Sequence, residues 1–86
     1  MLITARLFAS FREAVGAQSI ALELGSEPTV GSLKSALREQ FPQLGPALES
    51  AMVAVNLDYV GPAHELRPGD EVAIIPPVSG GAQREL

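Results

Sequence analysis

Thr29-Val30-Gly31-Ser32-Leu33-Lys34-Ser35-Ala36-Leu37-Arg38-Glu39-Gln40-Phe41-Pro42 is the stretch that decides the fold. Val30, Leu33, Ala36, Leu37 and Phe41 recur at steps of three and four, so one stripe of a helix is apolar. Lys34, Arg38 and Glu39 fall off that stripe and are expected to face water. Thr29 follows the turn Ser26-Glu27-Pro28 and stands where an N-cap belongs. Pro42 has no amide hydrogen and stops the helix. A helix with one apolar stripe must lie on an apolar surface, and the flanking segments supply it.

Leu2 to Phe8 alternates, with Ile3, Ala5 and Leu7 on one face and Leu2, Thr4, Arg6 and Phe8 on the other. Ser19 to Leu24 alternates again, with Ile20, Leu22 and Leu24 inward. Between them, Ala9 to Val15 is too short to hold a helix alone. Ser10, with Glu13 three residues on, is its candidate cap, and Gly16 its candidate stop. The two strands predict an antiparallel hairpin with a long connection.

Past the helix, Leu44 to Ser50 reads as a loose turn. Met52 to Asn56 is nearly all apolar, as a strand buried on both faces would be. Leu57 to Val60 is a short strand or edge segment, and Leu66-Arg67-Pro68-Gly69-Asp70 a turn. Glu71 to Ile75 is the last strand, with Val72 and Ile74 inward and Ala73 and Ile75 outward. Pro76-Pro77 ends its hydrogen bonding. The order β, short helix, β, helix, β, β gives an α+β class: a mixed sheet of four to five strands with one main helix on one face. The first and last strands would be parallel if they lie side by side, which pattern alone does not establish.

Composition narrows the function. Eighty-six residues make one domain, and 47% hydrophobic residues is a globular proportion. Ten acidic against six basic residues leave a net charge of −4, the wrong sign for a nucleic-acid or anionic-membrane binder. No apolar run approaches the roughly 20 residues of a membrane span. The opening residues read as a strand rather than a signal peptide, and a cytoplasmic location is expected. The absence of cysteine removes disulfides, thiolate metal sites and cysteine nucleophiles together. His64 is the single histidine, reads as a loop residue, and leaves no multi-histidine metal site within one chain. No acid–base pair, nucleophile or metal site suggests a stand-alone enzyme.

Several blocks together resemble the small subunit of molybdopterin synthase across residues 1–81. They are Leu7-Phe8-Ala9 with Arg12-Glu13, Val15 and Gly16; Thr29-Val30 with Leu33; and Ala54-Val55-Asn56. Gly69-Asp70-Glu71-Val72-Ala73 and Pro76-Pro77-Val78-Ser79-Gly80-Gly81 complete the set and are its most specific part. The resemblance implies the ubiquitin-like β-grasp fold. It divides the chain into a carrier domain, 1–81, with an extended tail from about 76, and an extra peptide, 82–86.

What the resemblance implies is a sulfur carrier rather than a catalyst. An ATP-dependent adenylating enzyme of the ubiquitin-activating type adenylates the C-terminal carboxylate of Gly81, and a sulfur donor protein converts it to a thiocarboxylate. The tail of Pro76, Pro77, Val78, Ser79 and Gly80 carries it into the large subunit of the synthase, in a heterotetramer, where sulfur passes to the pterin precursor. The carrier itself binds no cofactor and no metal. The residue types suit this work. A carboxylate is a poor electrophile until adenylation supplies a leaving group. Gly80 and Gly81 have no Cβ, so the tail fits a narrow channel. Pro76 and Pro77 stiffen its root.

Phe8 and Ile75 stand on outward faces of strands expected to be neighbours, with Arg12 near the same edge; these are the candidate partner-binding residues. Asp70 and Glu71 read first as turn chemistry, with docking of the activating enzyme as the second reading. Asn56 reads as a turn residue at the end of its strand.

One departure stands out. Family members that act directly end at the second glycine, whereas this chain continues as Ala82-Gln83-Arg84-Glu85-Leu86, which makes Gly81 an internal amide. Three explanations stand: a tail-trimming protease exposes Gly81; the extra residues are extraneous or begin a fusion to the large subunit; or carrier activity has been lost and binding kept. Two other functions also stand: a carrier for thiazole or cysteine synthesis, and a β-grasp binding module without sulfur chemistry.

Overall fold

The alternating segments pair as their faces demand. In the computed structural model, which describes residues 1–77, β1 (Leu2–Leu7) and β2 (Ser19–Glu23) are antiparallel, with Ile3 opposite Leu22 and Ala5 opposite Ile20. Ile3, Ala5, Leu7 and Leu22 are buried. The connection carries α1 (Ala9–Val15), which ends at Gly16 in the left-handed region (φ 83°). Ser10 does not cap this helix. Pairing holds the chain in β1 through Leu7, so the helix starts before Ser10, and the N-cap position falls to Phe8, which makes no side-chain cap. Phe11, buried against the core, fixes its rotation.

The long helix, α2 (Val30–Gln40), forms where its stripe and cap place it. The Ser32 amide donates to Thr29 Oγ1 (3.2 Å), and the Thr29 amide donates to Ser32 Oγ (2.8 Å). This capping box satisfies amides that the first turn leaves without partners. Val30, Leu33 and Leu37 are buried, with Ala36 and Phe41 packed half-buried beside them. Lys34 does not simply face water. It is half-buried, and its ammonium donates to the Ala51 carbonyl (2.8 Å) and, more distantly, to that of Glu49 (3.4 Å). The cause lies downstream: a 3₁₀ segment, Pro42–Leu48, kinks at Gly45 (φ 64°) and returns the chain along α2. Leu44 and Leu48 are buried there, and Arg38 pairs with Glu49.

β3 (Met52–Val55), β4 (Asp58–Val60) and β5 (Val72–Ile75) complete a sheet of order β2-β1-β5-β3-β4 among the described residues. β1 and β5 are the central parallel pair, with Ala5 opposite Val72 and Leu7 opposite Ile74. The other pairings are antiparallel. All helical segments contribute to one core on one face, where Leu33, Leu37, Val72 and Ile74 lose all contact with solvent. β3 is buried on both faces only in part, with Ala54 buried on the far side. Val53 and Val55 point into the core, whereas Met52 is 48% exposed on the other side. The β3–β4 turn is the two-residue loop Asn56-Leu57, both at positive φ (53° and 74°), as a type I′ hairpin requires.

Candidate functional site: the open face of the sheet

The register assembles a surface from residues far apart in sequence. On the face away from the helices, Arg6 is opposite Ala73, Ala73 is opposite Ala54, and Ala54 is opposite Tyr59. One step toward the end of β5, Ile75 is opposite Met52. Leu7 is opposite Ile74, which brings Phe8 to the same end of the sheet. Phe8, Ile75, Met52, Ala73, Ala54 and Tyr59 thus form an apolar strip across four strands.

Phe8 and Ile75, singled out from the sequence, do come together here, each half-buried. The Arg6 guanidinium lies over the Phe8 ring, 5.5 Å from its centre, and 4.0 Å from the Glu71 carboxylate. Both charges are largely exposed, so they frame the strip more than they stabilise the fold. Arg12 is exposed on α1, immediately after Phe8, and α1 touches β5. Among the described residues its guanidinium makes no ion pair.

Sequence reasoning missed Met52 and Tyr59, the latter 64% exposed. The signal was alternation: with Val53 and Val55 inward, Met52 and Ala54 must face out, and Tyr59 falls opposite Ala54. An exposed apolar strip with a charged rim is the usual mark of a protein partner.

The tail leaves from the edge of this strip. Pro76 and Pro77 follow Ile75 directly and cannot donate backbone hydrogen bonds, which closes β5. Val78, Ser79, Gly80, Gly81 and the peptide 82–86 lie outside the described residues.

The other end of the sheet is built differently. A cleft of about 560 Å³ is lined there by Asn56, Asp58, His64, Glu65, Arg67 and Asp70. Its side chains serve the turns. Asp70 accepts from the Arg67 amide (2.8 Å) and from Asn56 Nδ2 (3.1 Å), while Asn56 Oδ1 accepts from the Glu71 amide (3.0 Å). The turn reading of Asp70 and Asn56 is what the geometry supports. The bond from the Arg67 amide, then that from Asn56, holds the Asp70 carboxyl below its ordinary value. A lowered value means the folded state favours the carboxylate, so this contribution is present above about pH 4 and lost as the pH falls below it. Asp70→Asn should therefore destabilise the chain at pH 7 and show a smaller further loss on acidification than the parent chain. Melting curves at the two pH values check it; equal acid sensitivity would sink it.

The comparisons with known proteins fall on this framework. A model of the ThiS family matches residues 5–81. The chain belongs to the ThiS family. A molybdopterin synthase sulfur carrier subunit of Dictyostelium discoideum is 40% identical over 78 residues, covering 87% of this chain and 91% of that one. The subunit of the same name in Escherichia coli is 40% identical over 83 residues, covering 93% of this chain and all of the relative. In structure, SAMP1 from Haloferax volcanii superposes with a TM-score of 0.82 at 27% identity, covering 94% of this chain and 100% of that one. The fold is thus the ubiquitin-like β-grasp of the family, as the opening resemblance implied. No helix among the described residues is long and apolar enough to cross a membrane.

Proposed function

We propose that this ThiS-family chain is the sulfur carrier subunit of molybdopterin synthesis, with Gly81 as the residue that carries sulfur. One observation carries the reading above the rest. The family match ends at Gly81, the second glycine, and leaves Ala82 to Leu86 outside it. In this reading a protease removes 82–86 and exposes the Gly81 carboxylate. An adenylating enzyme of the ubiquitin-activating type spends ATP to form the acyl adenylate: the carboxylate oxygen attacks the α-phosphorus and pyrophosphate leaves. A sulfur donor protein then delivers sulfur at the oxidation level of sulfide: a C–S bond forms at the acyl carbon, the C–O bond to the adenylate breaks, and AMP leaves with that oxygen and its electron pair. The thiocarboxylate is ionised at neutral pH and nucleophilic. In this reading the ATP-consuming step takes place in the cytoplasm, the location expected from the sequence.

The carrier's own residues have two tasks. Phe8, Ile75, Met52 and Tyr59 hold the large subunit of the synthase against the open face, with Arg12 and Arg6 at the rim. Pro76 and Pro77 send the tail off that surface, so docking and delivery share one end of the sheet. Two such carrier–large-subunit pairs make a heterotetramer.

Replacing Ile75 by Glu tests the pairing. Ile75 is half-exposed and outside the core, so its loss should affect stability by about 1 kcal/mol or less. A charge buried within a dry contact should cost about 2 kcal/mol of binding, roughly thirtyfold in affinity. Titration calorimetry with the large subunit and melting of the free chain read the two effects. Normal pairing with a large drop in melting temperature would make Ile75 a core residue and move the interface elsewhere.

A further inference from the structure

The chain has one lysine and no cysteine, so Lys34 is its one strongly nucleophilic side chain. On the carrier reading above, an activated Gly81 risks capture by that amine in a second copy. The nitrogen lone pair would attack the acyl carbon, a C–N bond would form, AMP would leave with the electron pair of the broken C–O bond, and the ammonium would lose a proton to water. The product would be an isopeptide-linked dimer, dead as a carrier.

The geometry around Lys34 opposes this. Its ammonium is aimed at the Ala51 carbonyl (2.8 Å), with the Glu49 carbonyl farther off (3.4 Å). The intervening chain is a run of tight turns: the Glu49, Ser50 and Ala51 amides donate back to Pro46, Ala47 and Leu48, which leaves the Glu49 and Ala51 carbonyls to Lys34. Lys34 is half-buried and lines a cleft of about 210 Å³ together with Val30, Val53, Val60 and Pro62. To attack, the amine must abandon both carbonyls and leave its half-buried position.

We infer that Lys34 is a structural brace between α2 and the start of β3, withdrawn from acyl transfer, so that this side chain does not accept another copy's activated terminus. The donor half rests on the proposed function; the withdrawal of Lys34 does not.

The test uses the full chain and N-hydroxysuccinimidyl acetate as the acyl donor. Ser35→Lys adds an exposed lysine one residue along the same helix, so both amines compete within one molecule. Peptide mass spectrometry should show Lys34 acetylated about tenfold more slowly than the introduced lysine. In denaturing urea the two rates should converge. Equal rates in the folded protein overturn the brace, as does a difference that survives urea. Neither result touches the carrier reading, which the pairing experiment tests separately.

Discussion

A chain shortened to end at Gly80 is expected to lose sulfur transfer completely and to keep the stability of a chain ending at Gly81. The structural half follows from where the elements lie. Among the described residues, every strand and helix falls between Leu2 and Ile75, and the buried cluster runs from Ile3 to Ile74. The core cluster is complete six or more residues before Gly81, so the effect of deleting Gly81 on unfolding is expected to stay within about 0.5 kcal/mol. The functional half follows from reach. Losing one residue draws the terminal carboxyl back by about 3.5 Å. A misplacement of about 1 Å is enough to cost on the order of a hundredfold when two groups must meet in a fixed geometry. The readouts are sulfur transfer to the pterin precursor with the large subunit present, and thermal unfolding of the free chain. Sustained transfer from the shortened chain would end the carrier reading. The same logic makes the chain that still carries Leu86 inactive until it is trimmed, because Gly81 is then an internal amide.

Leu37→Ala should produce the largest loss of stability. Leu37 lies on the α2 stripe with 0% exposure, in the middle of the core cluster. Truncation to alanine removes the burial of three carbons and leaves a cavity, for which about 2–5 kcal/mol is typical. Native domains hold only about 5–15 kcal/mol in all, and a small one sits at the low end. A third or more of the total should therefore go, read as a lower denaturant midpoint with an unchanged slope. Leu57→Ala is the control, since Leu57 is 87% exposed at the hairpin tip. A loss under 1 kcal/mol for Leu37→Ala would show a core able to collapse around the gap.

What could be read from the sequence was what local pattern controls. The alternation of Ile3, Ala5 and Leu7 and the stripe of Val30, Leu33 and Leu37 fixed both the faces and the burial. Thr29 and Gly16 marked real helix ends because their chemistry is local. Ser10 failed as a cap because strand pairing at Leu7 set where the helix begins. Lys34 was misread because its partners arrive from Glu49 and Ala51, more than a dozen residues away. The Asn56-Leu57 hairpin was half visible: Asn suits a left-handed position, but Leu57 occupies one where glycine is usual. The candidate site divides in the same way. Phe8 and Ile75 were legible once the two strands were taken as neighbours. Met52 and Tyr59 join them only through the β5–β3–β4 register, which no single segment encodes.

The most direct test of the sulfur-carrier reading is the intact mass of this chain isolated from its own host while the molybdenum cofactor is being made. A chain ending at Gly81 with one oxygen replaced by sulfur is the expected species, and it would establish trimming and sulfur loading together. A population that consists only of full-length chain, with Leu86 attached and no sulfur gained, would contradict it and leave a β-grasp binding module in its place.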